Sequence, residues 1–196
     1  MSRYTDEQED VTFSEPVLAQ KGVRCGISFV ERTEWEAKTN GLKNGQKFDA
    51  CKLTLTISDD TVKTEHSDAK PRLTIDDQFN IVQFPYEDKK TGAVKMLGRQ
   101  KLYQLESVFG FDPVFKVNGQ VVEPFITRNG NKVAPKVEGV KRVVNPDFFN
   151  AYFTTEGNPI VDNWIGKVVY CDIELQQSEQ FGAKNTIAKY VKAPAV

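Results

Sequence analysis

Two stretches of the chain bring aromatic rings and cations close together. Phe84 and Tyr86 precede Lys89, Lys90, Lys95, Arg99 and Lys101, and Tyr103 follows. Near the other end, Tyr170, Lys184, Asn185, Lys189 and Tyr190 share the segment 164–191, "WIGKVVYCDIELQQSEQFGAKNTIAKYV". Such a mixture suits recognition of a single nucleic-acid strand. Cations follow the phosphates, and ring faces take stacked bases at about 1–3 kcal/mol each.

Catalytic chemistry has less to work with. His66, in "TEHSDAK", is the single histidine, which leaves little for zinc sites, Cys–His pairs or Ser-His-Asp triads. Cys25, Cys51 and Cys171 lie far apart inside apolar alternations and read as buried free thiols. Asp77 with Glu87 and Lys89 imitates the Asp…Glu-x-Lys spacing of some metal-dependent nucleases, but "EDKKTG" has the composition of an exposed turn. "GRQK" and "FGAKN" lack the other glycines and the Ser/Thr of a phosphate loop. The expectation is a protein that is not an enzyme, with no catalytic residue, metal or cofactor.

Charge is segregated along the chain. The net charge is −1, yet residues 1–88 hold 11 basic and 17 acidic side chains, whereas 89–142 hold 11 and 4. Local rather than total charge governs binding to nucleic acid, so a basic middle third points to an anionic partner. No run approaches the roughly 20 apolar residues needed to span a bilayer. "MSRYTDEQED" has no apolar stretch after its first charges, so no secretory or transit segment is expected and the chain reads as cytoplasmic.

The elements that must position these residues are mainly strands. An acidic arm over 1–20 is expected to be flexible, followed by one domain over 21–193. In "GVRCGISFVE", Val23, Cys25, Ile27 and Phe29 alternate onto one face; "KFDACKLTLTIS" does the same with Cys51, Leu53, Leu55 and Ile57. Between them, "RTEWEAKTNGLKNGQ" reads as a long connection with one helical turn. "RLTIDDQFNIVQFPY" is a third extended region. "LGRQKLYQLESVFG" switches to helical period, with Gly110 as its stop. Residues 111–144 form an inserted hairpin and loop region, marked by Asn118-Gly119 and Asn129-Gly130 turns. "NPDFFNAYF" is a short helix capped by Asn145, and two strands close the chain. In the first of these, Val169, Cys171, Ile173 and Leu175 face inward, which turns Tyr170 outward. For Tyr103 and Tyr190, packing in the core competes with an exposed role.

Three strands, a helix and two further strands match a five-stranded oligonucleotide/oligosaccharide-binding (OB-fold-like) barrel, here with an inserted β-hairpin. On "GRQKLYQLESVFG" and "IGKVVYCDIELQQSEQFGAKNTIAKYV", the chain resembles the single-stranded-DNA-binding proteins of tailed bacteriophages over roughly residues 22–192. The resemblance implies a decorated barrel that coats displaced strands during replication and recombination, in the host cytoplasm, without a cofactor. It implies a strand path over Lys184-Asn185, Tyr170 and the basic connection near Arg99. The chain departs from that family by ending "KYVKAPAV" rather than in acidic residues: either its acidic run, Asp6, Glu7, Glu9 and Asp10, takes over the recruitment of replication or recombination proteins, or the protein does not recruit in that way. The alternatives are a phage structural or adaptor protein working through residues 111–144 and, less well supported, a metal-dependent nuclease.

Overall fold

The computed structural model describes residues 14–36, 45–87, 90–92, 94–178 and 182–194. Its chain is mainly β. β1 (Ser14–Glu15) pairs in parallel with β4 (Lys70–Pro71). β2 (Gln20–Glu36), β3 (Lys47–Ile57), β5 (Thr74–Asn80), β13 (Val168–Ser178) and β14 (Gly182–Val191) form one antiparallel sheet in the order β14-β13-β2-β3-β5. β6 (Phe84–Glu87) and β7 (Val94–Leu97) make a separate ribbon. Three helices, α1 (Gln100–Val108), α2 (Pro146–Tyr152) and α3 (Val161–Trp164), lie between β7 and β13.

Alternation builds the core. Val23, Cys25 and Ile27 on β2, Cys51, Leu53 and Leu55 on β3, and Val169, Cys171 and Ile173 on β13 point inward and are almost fully buried. A second, aromatic layer closes over them. Phe148 and Tyr152 of α2 and Trp164 of α3 pack ring to ring with Phe109, Tyr152 and Phe109 lying parallel at 4.8 Å. Trp164 Nε1 donates to the Tyr152 carbonyl at 2.8 Å, so the indole is buried without an orphan donor. α2 begins where the sequence predicts: Asn145 Oδ1 accepts from the Asp147 N–H at 2.8 Å, with Pro146 at the first position.

The expected closed barrel is not formed. β5 and β14 are the two edges of the sheet, and among the described residues no strand pairing joins them. Side chains and α1 fill this seam instead. Tyr190 on β14 donates its hydroxyl to Asp77 Oδ2 on β5 at 2.8 Å, and Lys101 of α1 pairs with the same carboxylate. The Tyr190 N–H, an edge donor, is taken by Gln104 Oε1 of α1 at 3.0 Å. A helix that satisfies edge donors removes the need for a further strand pair.

Four other expectations change. Residues 32–36 continue β2, whose pairing with β3 runs out to Glu36 opposite Lys47; the predicted connection with a helical turn is shorter, and 37–44 lie outside the described residues. Residues 14–20 are docked rather than free: Val17 is fully buried, and β1 adds a second attachment. Leu97, read as helical, ends β7. The insertion holds more than a hairpin, with β8 (Val114–Val117), β9 (Gln120–Val122) and β12 (Lys141–Val143) as one small sheet and β10 (Phe125–Ile126) with β11 (Lys132–Val133) as a ribbon. Asn118 and Gly119 both take positive φ, 50° and 83°, as the β8–β9 turn requires.

Candidate nucleic-acid interface

The outer face of β13-β2-β3 carries a lane of exposed polar, cationic and aromatic groups. Tyr170 on β13 stands opposite Arg24 on β2, and Arg24 Nη1 donates to Ser58 Oγ at 3.0 Å. In the next row, Val168, Gly26 and Thr56 lie side by side across the three strands. A Cβ on Gly26 would meet nothing within 4 Å, and its φ is not one that demands glycine. Its place in mid-strand therefore leaves a bare, open patch where a ligand can approach the backbone closely.

A β-bulge decides the far end of the lane. Between Ile27 and Phe29 the register with β3 shifts, so Ile27 and Val30 both face the core and Phe29 turns outward, 47% exposed. Around it, Ser28 Oγ donates to the Thr54 carbonyl at 3.0 Å and Thr56 Oγ1 donates to Ser28 Oγ at 3.2 Å. Lys52 pairs with Asp76 at 3.0 Å. Partial burial works to raise the pKa of Asp76, but the Thr54 hydroxyl and Lys52 outweigh it and hold the carboxyl below its usual range. Exposed Lys167 adjoins the start of β13. The lane can stack bases on two rings and neutralise phosphates beside them.

The residues singled out in the sequence do not converge on one face. Tyr170 is outward and half-buried, and Lys184 is exposed on the distal part of the β13–β14 hairpin. Asn185 is committed elsewhere: its amide accepts from the Val17 N–H at 2.8 Å and donates to the Val17 carbonyl at 2.7 Å, clamping 14–20 to β14. Lys189 pairs with Asp172 at 3.3 Å, and Asp172 also accepts from the Gly22 N–H. Tyr190 is 3% exposed, so its ring belongs to the core and offers no face for stacking. Lys101 is tied to the buried Asp77.

The first cluster is divided similarly. Phe84 is half-buried and packs 5.1 Å from both Trp35 and Phe48. Tyr86 and Lys95 are register partners on the β6–β7 ribbon, with side chains outside the described residues; Lys89 lies wholly outside them, and Lys90 is exposed. Arg99 Nε donates to the Ile81 carbonyl at 2.7 Å and lines a cavity of about 190 Å³ with Arg32 and Asp49. Tyr103 is half-buried, donating to the Arg142 carbonyl at 3.1 Å beneath the Arg142 guanidinium, 4.3 Å from its ring centre.

Arg24, Lys167 and Phe29 were not among the expected site residues. Alternation about Val23 and Cys25 already turns Arg24 outward, so the face argument used for Tyr170 would have found it. No local signal marks Phe29, because strict alternation places it with Ile27.

Titratable groups inside the sheet serve the seam. Burial raises the pKa of Asp77, against the opposing effects of Lys101 and Tyr190. Burial, and then the Asp77 charge, push Tyr190 well above its usual value. Burial pushes the Cys51 thiol up to about 12, which makes it a poor nucleophile. Asp77, a member of the nuclease-like spacing, is thus enclosed between Tyr190 and Lys101, while the Glu87 side chain lies outside the described residues. Among the described residues, no group of three His, Cys, Asp or Glu could hold a metal ion, and no helix is long and apolar enough to cross a membrane. No family model, curated protein or solved structure matches the chain, so its own geometry carries the functional reading.

Proposed function

We propose that this chain binds single-stranded DNA without strong sequence preference and without a catalytic step, protecting displaced strands. The observation that carries the reading is the outer lane, where Tyr170 and Phe29 flank open Gly26 with Arg24 and Lys167 alongside. The strand order gives it a frame. Numbering the sheet strands along the chain, the order is 5-4-1-2-3 with α1, α2 and α3 between the third and fourth, and this order is the sequence of neighbours in an oligonucleotide-binding barrel left open between strands 3 and 5. In such a barrel, nucleic acid lies across the outer face of strands 2 and 3; the lane lies on the fourth, first and second strands and meets that face at Thr54, opposite Phe29, and Thr56, opposite Gly26.

Arg24, Lys52 and Lys167 can neutralise about three phosphates, which sets a log–log salt slope near −2. Fluorescence titration of a labelled oligo-dT at several salt concentrations tests this. The expected result is saturable binding with that slope, weakened in a Tyr170→Ala, Arg24→Gln variant that folds normally. A probe left unshifted even at low salt overturns the proposal.

A further inference from the structure

A cavity of about 380 Å³ opens between α1, Arg142 of β12 and the end of β14. Its polar groups are of one kind. Two other cavities each hold carboxylates, Asp49 and Glu156 beside Arg32 and Arg99 in one, Asp172 and Glu174 beside Lys21 and Lys189 in the other. This one is lined by Arg142, Lys192, Gln100, Gln104 and Ser107, with no Asp or Glu on its wall.

Hydrogen bonding decides which ends of the glutamines are left to use. Gln100 Oε1 accepts from the Gly98 N–H at 3.1 Å, and Gln104 Oε1 from the Tyr190 N–H at 3.0 Å. A backbone N–H can only donate, so each amide must spend its oxygen there and keep its NH2 to give. No described residue accepts from either NH2. Arg142 is held from behind: Nη2 donates to Glu106 and to the Tyr103 carbonyl, and the guanidinium lies 4.3 Å above the Tyr103 ring. Its Nε is buried and has no partner among the described residues. Glu106 is fully buried, with one oxygen on Arg142 and the other on the Asn145 N–H, so donors and cations have the wall to themselves.

We propose that this cavity binds the phosphate group of a phosphorylated ligand. Two amide NH2 groups, a hydroxyl, a guanidinium and an ammonium offer more donors than a carboxylate can accept, whereas a phosphate brings three strong acceptor oxygens. The volume falls within the range of small-molecule sites, about 300–1,000 Å³. Val108, Tyr103 and Tyr190 supply apolar wall for the rest of the ligand. None of these residues belongs to the outer lane, so the site does not depend on DNA binding there.

NMR titration of thymidine monophosphate into the isotope-labelled full chain, read at the Arg142 Nε–H and the Ser107 and Val108 amides, tests the proposal. Saturable shifts are expected at these positions, and thymidine, which lacks the phosphate, should bind at least about tenfold more weakly. Gln100→Glu, Gln104→Glu keeps an oxygen for each backbone N–H and replaces both donors by negative charge. It should fold, which thermal melting checks, and weaken the nucleotide at least about tenfold. Lys192→Gln, at an exposed position where folding is not at stake, should weaken it about two- to fivefold. Excess oligo-dT that displaces the nucleotide assigns the cavity to a strand phosphate; nucleotide bound beside oligo-dT assigns it to a free phosphorylated ligand, and either sustains the proposal. No shift at about 10 mM nucleotide, equal binding of thymidine, or unchanged affinity in the folded variants overturns it. A chain that ignores oligo-dT yet shifts with the nucleotide would end the DNA proposal and leave this one standing.

Discussion

The five-stranded sheet and the 111–144 insertion are both antiparallel, yet they treat apolar side chains in opposite ways. In the sheet, each strand sends its inward residues into a core sealed by α1, α2 and α3, and Val23, Leu53, Leu55 and Val169 lose all contact with water. In the insertion, Phe115 is the one buried large apolar residue among those described. The difference is one of layers. A sheet face becomes core only when another layer covers it; in the insertion β12 meets α1 through Arg142, while Phe125 and Ile126 of the β10–β11 ribbon stay exposed. The sheet therefore supplies the core, while the β10–β11 ribbon leaves its apolar side chains exposed.

The largest effect that tests this contrast is on stability. Trp164→Ala or Phe148→Ala should cost about 3–5 kcal/mol in urea unfolding through lost burial and a residual cavity, while Ile126→Ala should change stability by no more than about 0.5 kcal/mol. Equal costs would show that the ribbon has a covered core of its own. Next comes the seam between insertion and helix. Arg142 of β12 donates to Glu106 at 2.9 Å, and that fully buried carboxylate also accepts from the Asn145 N–H at 2.8 Å. Arg142→Met should cost about 3 kcal/mol by leaving Glu106 without its counter-ion, and adding Glu106→Gln should recover much of it.

The two tyrosines of the closing hairpin give a smaller and more selective contrast. Tyr170→Ala should weaken oligo-dT binding roughly 5- to 150-fold, the range of one lost stack, with little change in stability. Tyr190→Phe should leave binding untouched and cost about 1 kcal/mol in stability, because Asp77 loses a donor. The reverse pattern would exchange the roles assigned to the two faces.

The smallest effect concerns the docked segment 14–20. A hydrogen bond from the His66 Nδ1–H to Glu15 Oε1 at 2.7 Å, and then the Glu15 charge, raise the pKa of His66. A histidine raised above its unfolded value near 6.5 contributes stability that is complete below that value and is lost as pH rises through the folded one. The melting temperature of wild type should therefore fall more between pH 6 and pH 8 than that of His66→Gln, and parallel profiles would remove the pair from the attachment of β1.

Much of this protein is determined locally. Alternation in "KFDACKLTLTIS" sets both faces of β3; Asn145-Pro146 starts α2; Asn118-Gly119 turns β8 into β9; and alternation about Cys171 turns Tyr170 outward. Each depends on residues close together in the chain, where period and turn chemistry act directly. Long-range geometry decided the rest. Whether Tyr190 or Lys101 faced solvent depended on Asp77 arriving across the seam, from 113 residues away in the case of Tyr190. Whether Asn185 was free depended on Val17, 168 residues distant. Phe29 reached the surface because one extra residue against β3 inverted the alternation, a matter of pairing register rather than of local composition. Composition and local pattern thus determined which rings and cations each strand carries, and only the pairing of distant strands decided which of them face solvent.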